Sequence, residues 1–199
     1  MEKSMSHKLA AVLLSAALGL TSCASVKNQN GLKPVYVTNA KKIKLLGTDN
    51  ISNPVEEVQL LNGRFGDTAF TLMCYTQIDS QQISLSLFND FGSDMGSVYY
   101  DGSTVIFDSA FFPKNLPGEY IISDIQNAFY DSEVLKENYA KSRLTFEEQY
   151  ETDGASAAHT IRRVLDGKKL IEEITILNNT ITIKNLLRGY EYQLIKAEE

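Results

Sequence analysis

Ile83-Ser84-Leu85-Ser86-Leu87 alternates apolar and polar residues with a period of two, a spacing that an extended strand turns into one packed face and one wet face. The signature recurs along the chain. Residues 67–78 are rich in Thr, Phe, Tyr and Met. Val98-Tyr99-Tyr100 and Thr104-Val105-Ile106-Phe107 flank Asp101-Gly102, a dipeptide that accepts the positive φ angles of a tight hairpin turn. Asn62-Gly63 and Asp166-Gly167 carry the same turn signal. Later strands are predicted over Leu144–Tyr150, Thr160–Leu165, Leu170–Leu177, Ile181–Ile183 and Tyr190–Ile195, with a turn at Asn178-Asn179 and a short pair between Pro34 and Leu46. The pattern rules yield about ten or eleven strands. So many antiparallel strands predict a strongly curved sheet or an incomplete β-barrel, because curvature or closure protects edges that a flat sheet would expose.

One stretch has the other period. Ile121, Ile122, Ile125, Ala128 and Phe129 fall on one face of a helix predicted over about 117–130, with Pro117 in the first turn, where its missing N–H costs nothing, and Val134-Leu135 in a further turn. The fold class is therefore mainly β with one helical lid (α+β), in a domain running from 34 to 199. The apolar face of the helix has to cover the mouth or the concave face of the sheet.

The N-terminus reads as an export signal. Lys3 and Lys8 precede an apolar run from Leu9 to Leu20, shorter than the about 20 residues a membrane-spanning helix needs. Leu20-Thr21-Ser22-Cys23 then has the size, order and position of a lipoprotein cleavage site, a lipobox, which predicts removal of residues 1–22 and acylation of Cys23; the alternative is an ordinary secretory signal with an incidental cysteine. Several acyl chains on one cysteine make an effectively permanent anchor, since each buried CH₂ contributes about 0.8 kcal/mol. Residues 23–33 then form a polar tether. Ala24 stands where an aspartate would retain a lipoprotein in the inner membrane of enteric-type bacteria, so the expected address is the periplasmic side of the outer membrane. With Cys23 acylated, Cys74 has no internal disulfide partner and is expected to be a buried small hydrophobe.

Composition removes other classes. The net charge is −6, and the cations come in short pairs, Lys41-Lys42, Arg162-Arg163 and Lys168-Lys169, rather than in a stripe that could displace counterions from a phosphate backbone, so nucleic acid is not an expected partner. Hydrophobic residues make up 43% of the chain and charged residues 22%, enough to bury a core. Beyond the leader His159 is the one histidine, which rules out a two-histidine metal site and leaves any Ser-His-Asp arrangement dependent on the stretch 154–159, read as a loop. Glu147, Glu148, Glu151 and Asp153, and the pair Glu172-Glu173, are read as solvated faces. Asn89 to Asp94 offers oxygen ligands but lacks the spacing of a helix-loop-helix calcium site and is read as a polar hairpin loop. Asn178-Asn179-Thr180 matches a glycosylation acceptor only as a turn, and no phosphate-binding glycine loop is present. No catalytic residue, metal or cofactor is expected.

The order lipobox, β-meander, Phe107-Asp108-Ser109 through Tyr130, second meander, with the closing Asn185-Leu186 and Gly189-Tyr190, resembles an uncharacterised bacterial lipoprotein family often encoded beside aryl-polyene pigment genes and similar in fold to the LolA and LolB lipoprotein carriers. The resemblance implies an unclosed barrel whose helical lid shelters acyl chains. It transfers no functional residue. On this expectation the chain binds or transfers a hydrophobic molecule, whether lipid, lipoprotein acyl chain or aryl-polyene conjugate, with a periplasmic carrier protein as a further partner. Phe70, Leu72, Phe107, Ile121, Ile125, Phe129 and Tyr190 are the cargo-lining candidates, each of which core packing would explain equally. The alternatives are a structural or assembly lipoprotein that binds a protein partner and, more weakly, an acyl hydrolase or thioesterase using His159.

Overall fold

The computed structural model describes residues 32–51, 53–109, 116–152 and 158–197. The expected leader, its cleavage site at Leu20, Thr21 and Ser22, and Cys23 lie outside the described residues, as do 110–115 of the family-like stretch and Ser156 beside His159.

Strands β1 (Val35–Tyr36) and β2 (Lys42–Ile43) form a short hairpin, followed by a 3-10 turn at Thr48–Asn50. A first meander contains β3 (Val55–Phe65), β4 (Thr68–Ile78), β5 (Ile83–Phe88), β6 (Asp94–Tyr100) and β7 (Val105–Ser109). Helices α1 (Gly118–Phe129) and α2 (Ser132–Ala140) come next, and a second meander closes the chain with β8 (Thr145–Glu151), β9 (His159–Asp166), β10 (Lys169–Leu177), β11 (Thr180–Asn185) and β12 (Tyr190–Lys196). The two meanders join through β3 and β12, giving one antiparallel sheet in the order β7-β6-β5-β4-β3-β12-β11-β10-β9-β8. Its two ends do not pair with each other, so the sheet is curved but not closed.

The curvature follows from what α1 touches. Laid flat, the strands from β7 to β9 would span roughly 40 Å, whereas a twelve-residue helix is only about 18 Å long. Yet Gly118 at the start of α1 lies against Val105 and Phe107 of β7, and Arg162 of β9 bonds the carbonyls at its end. The sheet therefore bends around the helix as a trough. Its inner face is the core, with Leu61, Leu72, Cys74, Ile78, Ile83, Leu85, Leu87, Val98, Ile174, Ile183 and Leu194 all buried. The thiol of Cys74 is among them, and burial pushes it up to about 11.

Three features depart from the expectations. Asn62-Gly63 is not a turn but the middle of β3, where the ring of Phe70 on β4 lies over the glycine; a Cβ at Gly63 would sit 2.2 Å from Phe70 Cζ. The turn is instead at Gly66, with a positive φ of 58°. The single helix is two: α2 starts at Asp131, whose side chain accepts from the backbone N–H groups of Glu133 at 2.9 Å and Val134 at 3.3 Å. Its Leu135, Asn138 and Tyr139 are buried with helical spacing. Finally, α1 is buried beyond the apolar face read from its period: residues 118–128 are all buried.

The far side of α1 is covered by the segment that precedes β3. The amide of Gln126 donates to Leu46 O at 2.7 Å and its oxygen accepts from Leu46 N at 3.0 Å; Tyr36 N donates to the Tyr120 hydroxyl at 3.1 Å, and Lys33 N to Glu119 Oε1 at 3.1 Å. Asn138 on α2 donates to Lys44 O at 2.9 Å. Residues 33–46 thus strap the helix into the trough. Among the described residues no helix is long and apolar enough to cross a membrane.

Candidate functional site

The site candidate is the seam between α1 and the inner face of the sheet, and its two halves differ in chemistry. At the β5–β7 side, Ile121 and Ile125 of α1 face Leu61, Leu85, Leu87, Val98 and Phe107, with Leu194 and Tyr192 completing an almost wholly apolar lining. The gap left there is about 20 Å³, room for about one water-sized sphere. The space that the resemblance implies for acyl chains is therefore filled by the helix itself. Of the seven candidates, Phe107, Ile121 and Ile125 line this gap. Leu72 is buried in the core beside it, and Tyr190 is buried but turns its hydroxyl to a carboxylate. Phe70 stacks on Phe65, with ring centroids 6.1 Å apart, and Phe129 is half-buried at the end of α1. Composition alone did not single out Leu85 and Leu87, although their alternation with serine marks an inward face.

At the β10–β12 side the seam is polar. Asp124 Oδ2 accepts from the hydroxyls of Tyr190 at 2.7 Å and Tyr192 at 3.2 Å. Asn185 Nδ2 donates to Glu172 Oε2 at 3.2 Å and lies 3.4 Å from the Tyr190 hydroxyl, which joins the Asp124 and Glu172 carboxyls in one buried cluster. Glu172 also accepts from Asn127 Nδ2 at 2.9 Å, and the Tyr139 hydroxyl donates to Asn127 Oδ1 at 3.0 Å. Burial pushes both carboxyls above the usual carboxylate range, and the neighbouring Glu172 adds to the shift of Asp124. The buried hydroxyls of Tyr190 and Tyr192 are pushed up for the same reason, then by the nearby carboxyls. No buried side-chain nitrogen or oxygen among the described residues lacks a partner.

This cluster corrects the reading of Glu172-Glu173 as a solvated pair. Glu173 does face outward, against Arg163 at 2.7 Å, but Glu172 is only 5% exposed. The sequence carried the signal: Glu172, Ile174 and Ile176 share one face by period two, and a bulge between Leu170 and Glu172 leaves Ile171 buried as the extra residue. Glu148 is likewise largely buried, paired with Arg162 at 2.6 Å. That arginine donates from Nη1 to the carbonyls of Asn127, Ala128 and Tyr130 at 2.9–3.0 Å, supplying positive charge where the helix dipole is negative.

The features weighed for other chemistry lie elsewhere. His159 begins β9 on the outer face, 3.6 Å from Glu151 across the strand pair. Asn89 uses its side-chain oxygen to accept from Phe91 N and Ser93 N, which makes the segment a hairpin loop, and Phe91 at its tip is 93% exposed.

A family model described as a protein of unknown function, DUF3261, matches residues 56–197, which takes in both meanders, both helices and every residue of the seam. No curated protein matches the chain.

Proposed function

This chain belongs to the DUF3261 family of proteins of unknown function, and from that premise we propose that it is a non-enzymatic lipoprotein, anchored through Cys23 to the periplasmic side of the outer membrane, that binds a hydrophobic molecule between α1 and the sheet. The observation that carries this reading is the apolar half of the seam. There the lining is almost wholly apolar, with Ser97 and the Asp124-bonded hydroxyl of Tyr192 as its polar groups, so an acyl or polyene chain could take the place of Ile121 and Ile125 against it. A gap of about 20 Å³ does not hold such a chain, so binding requires this half of α1 to move away. Lipid, lipoprotein acyl chain and aryl-polyene conjugate all have the necessary chemistry, and LolA and LolB-like carriers supply the precedent of a lidded trough.

The filled trough favours a second reading, in which α1 is a permanent core element and the anchored domain binds a protein partner through its surface. Mass spectrometry of the chain purified from its own membrane separates the two. Under the first reading an N-terminal peptide begins at acylated Cys23, and a hydrophobic compound co-purifies well above its share of the bulk lipid. An extract that matches bulk lipid leaves only the second reading, and an unacylated Cys23 removes the anchor.

A further inference from the structure

The polar half of the seam contains two carboxyls of one hydrogen-bonded cluster shut away from water, Asp124 on α1 at 3% exposure and Glu172 on β10 at 5%, linked through Asn185 and Tyr190. The groups that face them are Asn127 from α1, Asn185 from β11, and Tyr190 and Tyr192 from β12; Tyr139 of α2 lies beyond Asn127, and Cys74 of β4 lies near Tyr192. None of these carries a positive charge. The cation that the same end of α1 does engage, Arg162, is bonded to three helix carbonyls and to Glu148.

Two carboxylates so placed repel strongly in such surroundings, and two carboxylic acids would turn a second acid proton toward groups that already donate. One proton between them resolves both problems: it removes one of the two charges, and the remaining oxygens accept from Tyr190, Tyr192, Asn127 and Asn185. We infer that Asp124 and Glu172 share a single proton and that this proton fastens α1 to the second meander, so that seating of the helix in the trough weakens as the proton is lost.

The sign follows from linkage. With α1 lifted away, both carboxyls meet water and ionise in the ordinary range near about pH 4. Seated, burial raises both. Groups raised in this way contribute fully below the ordinary range, and their contribution falls as pH rises through the interval up to the seated values. For one retained proton the seating equilibrium changes by at most about tenfold per pH unit across that interval. The inference needs no cargo, and it would hold if the trough never opened to a ligand.

Hydrogen exchange of the α1 amides in the full chain tests it, as protection factors corrected for intrinsic exchange between about pH 5 and about pH 8. Wild type should lose protection in α1 with rising pH, by up to about tenfold per unit, relative to Asp124→Asn, whose amide cannot ionise. Parallel profiles in the two proteins overturn the inference. Should the variant not fold, carboxyl carbon NMR of the wild type decides instead: one of the two groups should titrate above the ordinary carboxylate range, and titration of both within that range overturns the shared proton. Neither readout involves a ligand, so a negative result leaves the hydrophobic-ligand reading intact.

Discussion

Gly118 shows how closely α1 is seated. A Cβ there would lie 2.7 Å from the Phe107 Cβ and 2.8 Å from the Val105 Cγ1, closer than side chains approach, and the first of these neighbours cannot swing aside without moving β7. Gly118→Val is therefore expected to lift the start of the helix and destabilise the domain by about 1–3 kcal/mol, the range typical of overpacking, read as a lower urea midpoint. An unchanged midpoint would mean that the seam is looser than the geometry shows. Single residues were unevenly legible in the sequence. Leu85 and Leu87 were readable from their alternation with serine, and Cys74 as a buried thiol from its apolar neighbours. Glu172 was not, because a charged residue beside another charged residue reads as surface until the period of Ile174 and Ile176 is followed back through it. Gly63 was misread for a related reason: the dipeptide Asn62-Gly63 suits a hairpin turn, but here the missing side chain makes room for the ring of Phe70.

Among the elements, the meanders and α1 were legible because each has a clean period and its own turn or Pro signal. The second helix was not, since Ser132–Ala140 has a weak apolar stripe and depends on the Asp131 cap and on packing against β8. Nor could periodicity show that α1 is covered on both sides, because the residues that strap it, 33–46, bond it through backbone groups that any sequence could offer. Arg162 is the clearest link between elements, holding the end of α1 to β9 while paired with Glu148. The two side chains are 12% and 10% exposed, so removing the cation leaves a largely buried carboxylate. Arg162→Met should cost about 3 kcal/mol in urea unfolding, and Glu148→Gln in the same background should restore part of it. A cost near zero would show that water already satisfies both the carbonyls and the carboxylate.

At the scale of the whole molecule, the sheet makes a trough, the strap makes a cover, and α1 occupies the space between them with a polar, proton-bearing side and an apolar side. On the proposed reading, parting the apolar side would expose hydrocarbon that an apolar guest could re-cover, while Arg162 holds the end of the helix to β9. A tether from Cys23 would hold this device within reach of a bilayer that contains such guests. The most direct measurement is photolabelling of the full chain with a diazirine-bearing fatty acid, followed by peptide mapping. Labels on the peptides that carry Leu85, Leu87, Val98, Ile121 and Ile125, competed away by excess unlabelled lipid, are the predicted result. Labels confined to outward-facing strand residues or to the exposed tip at Phe91, or none that compete, would contradict the account.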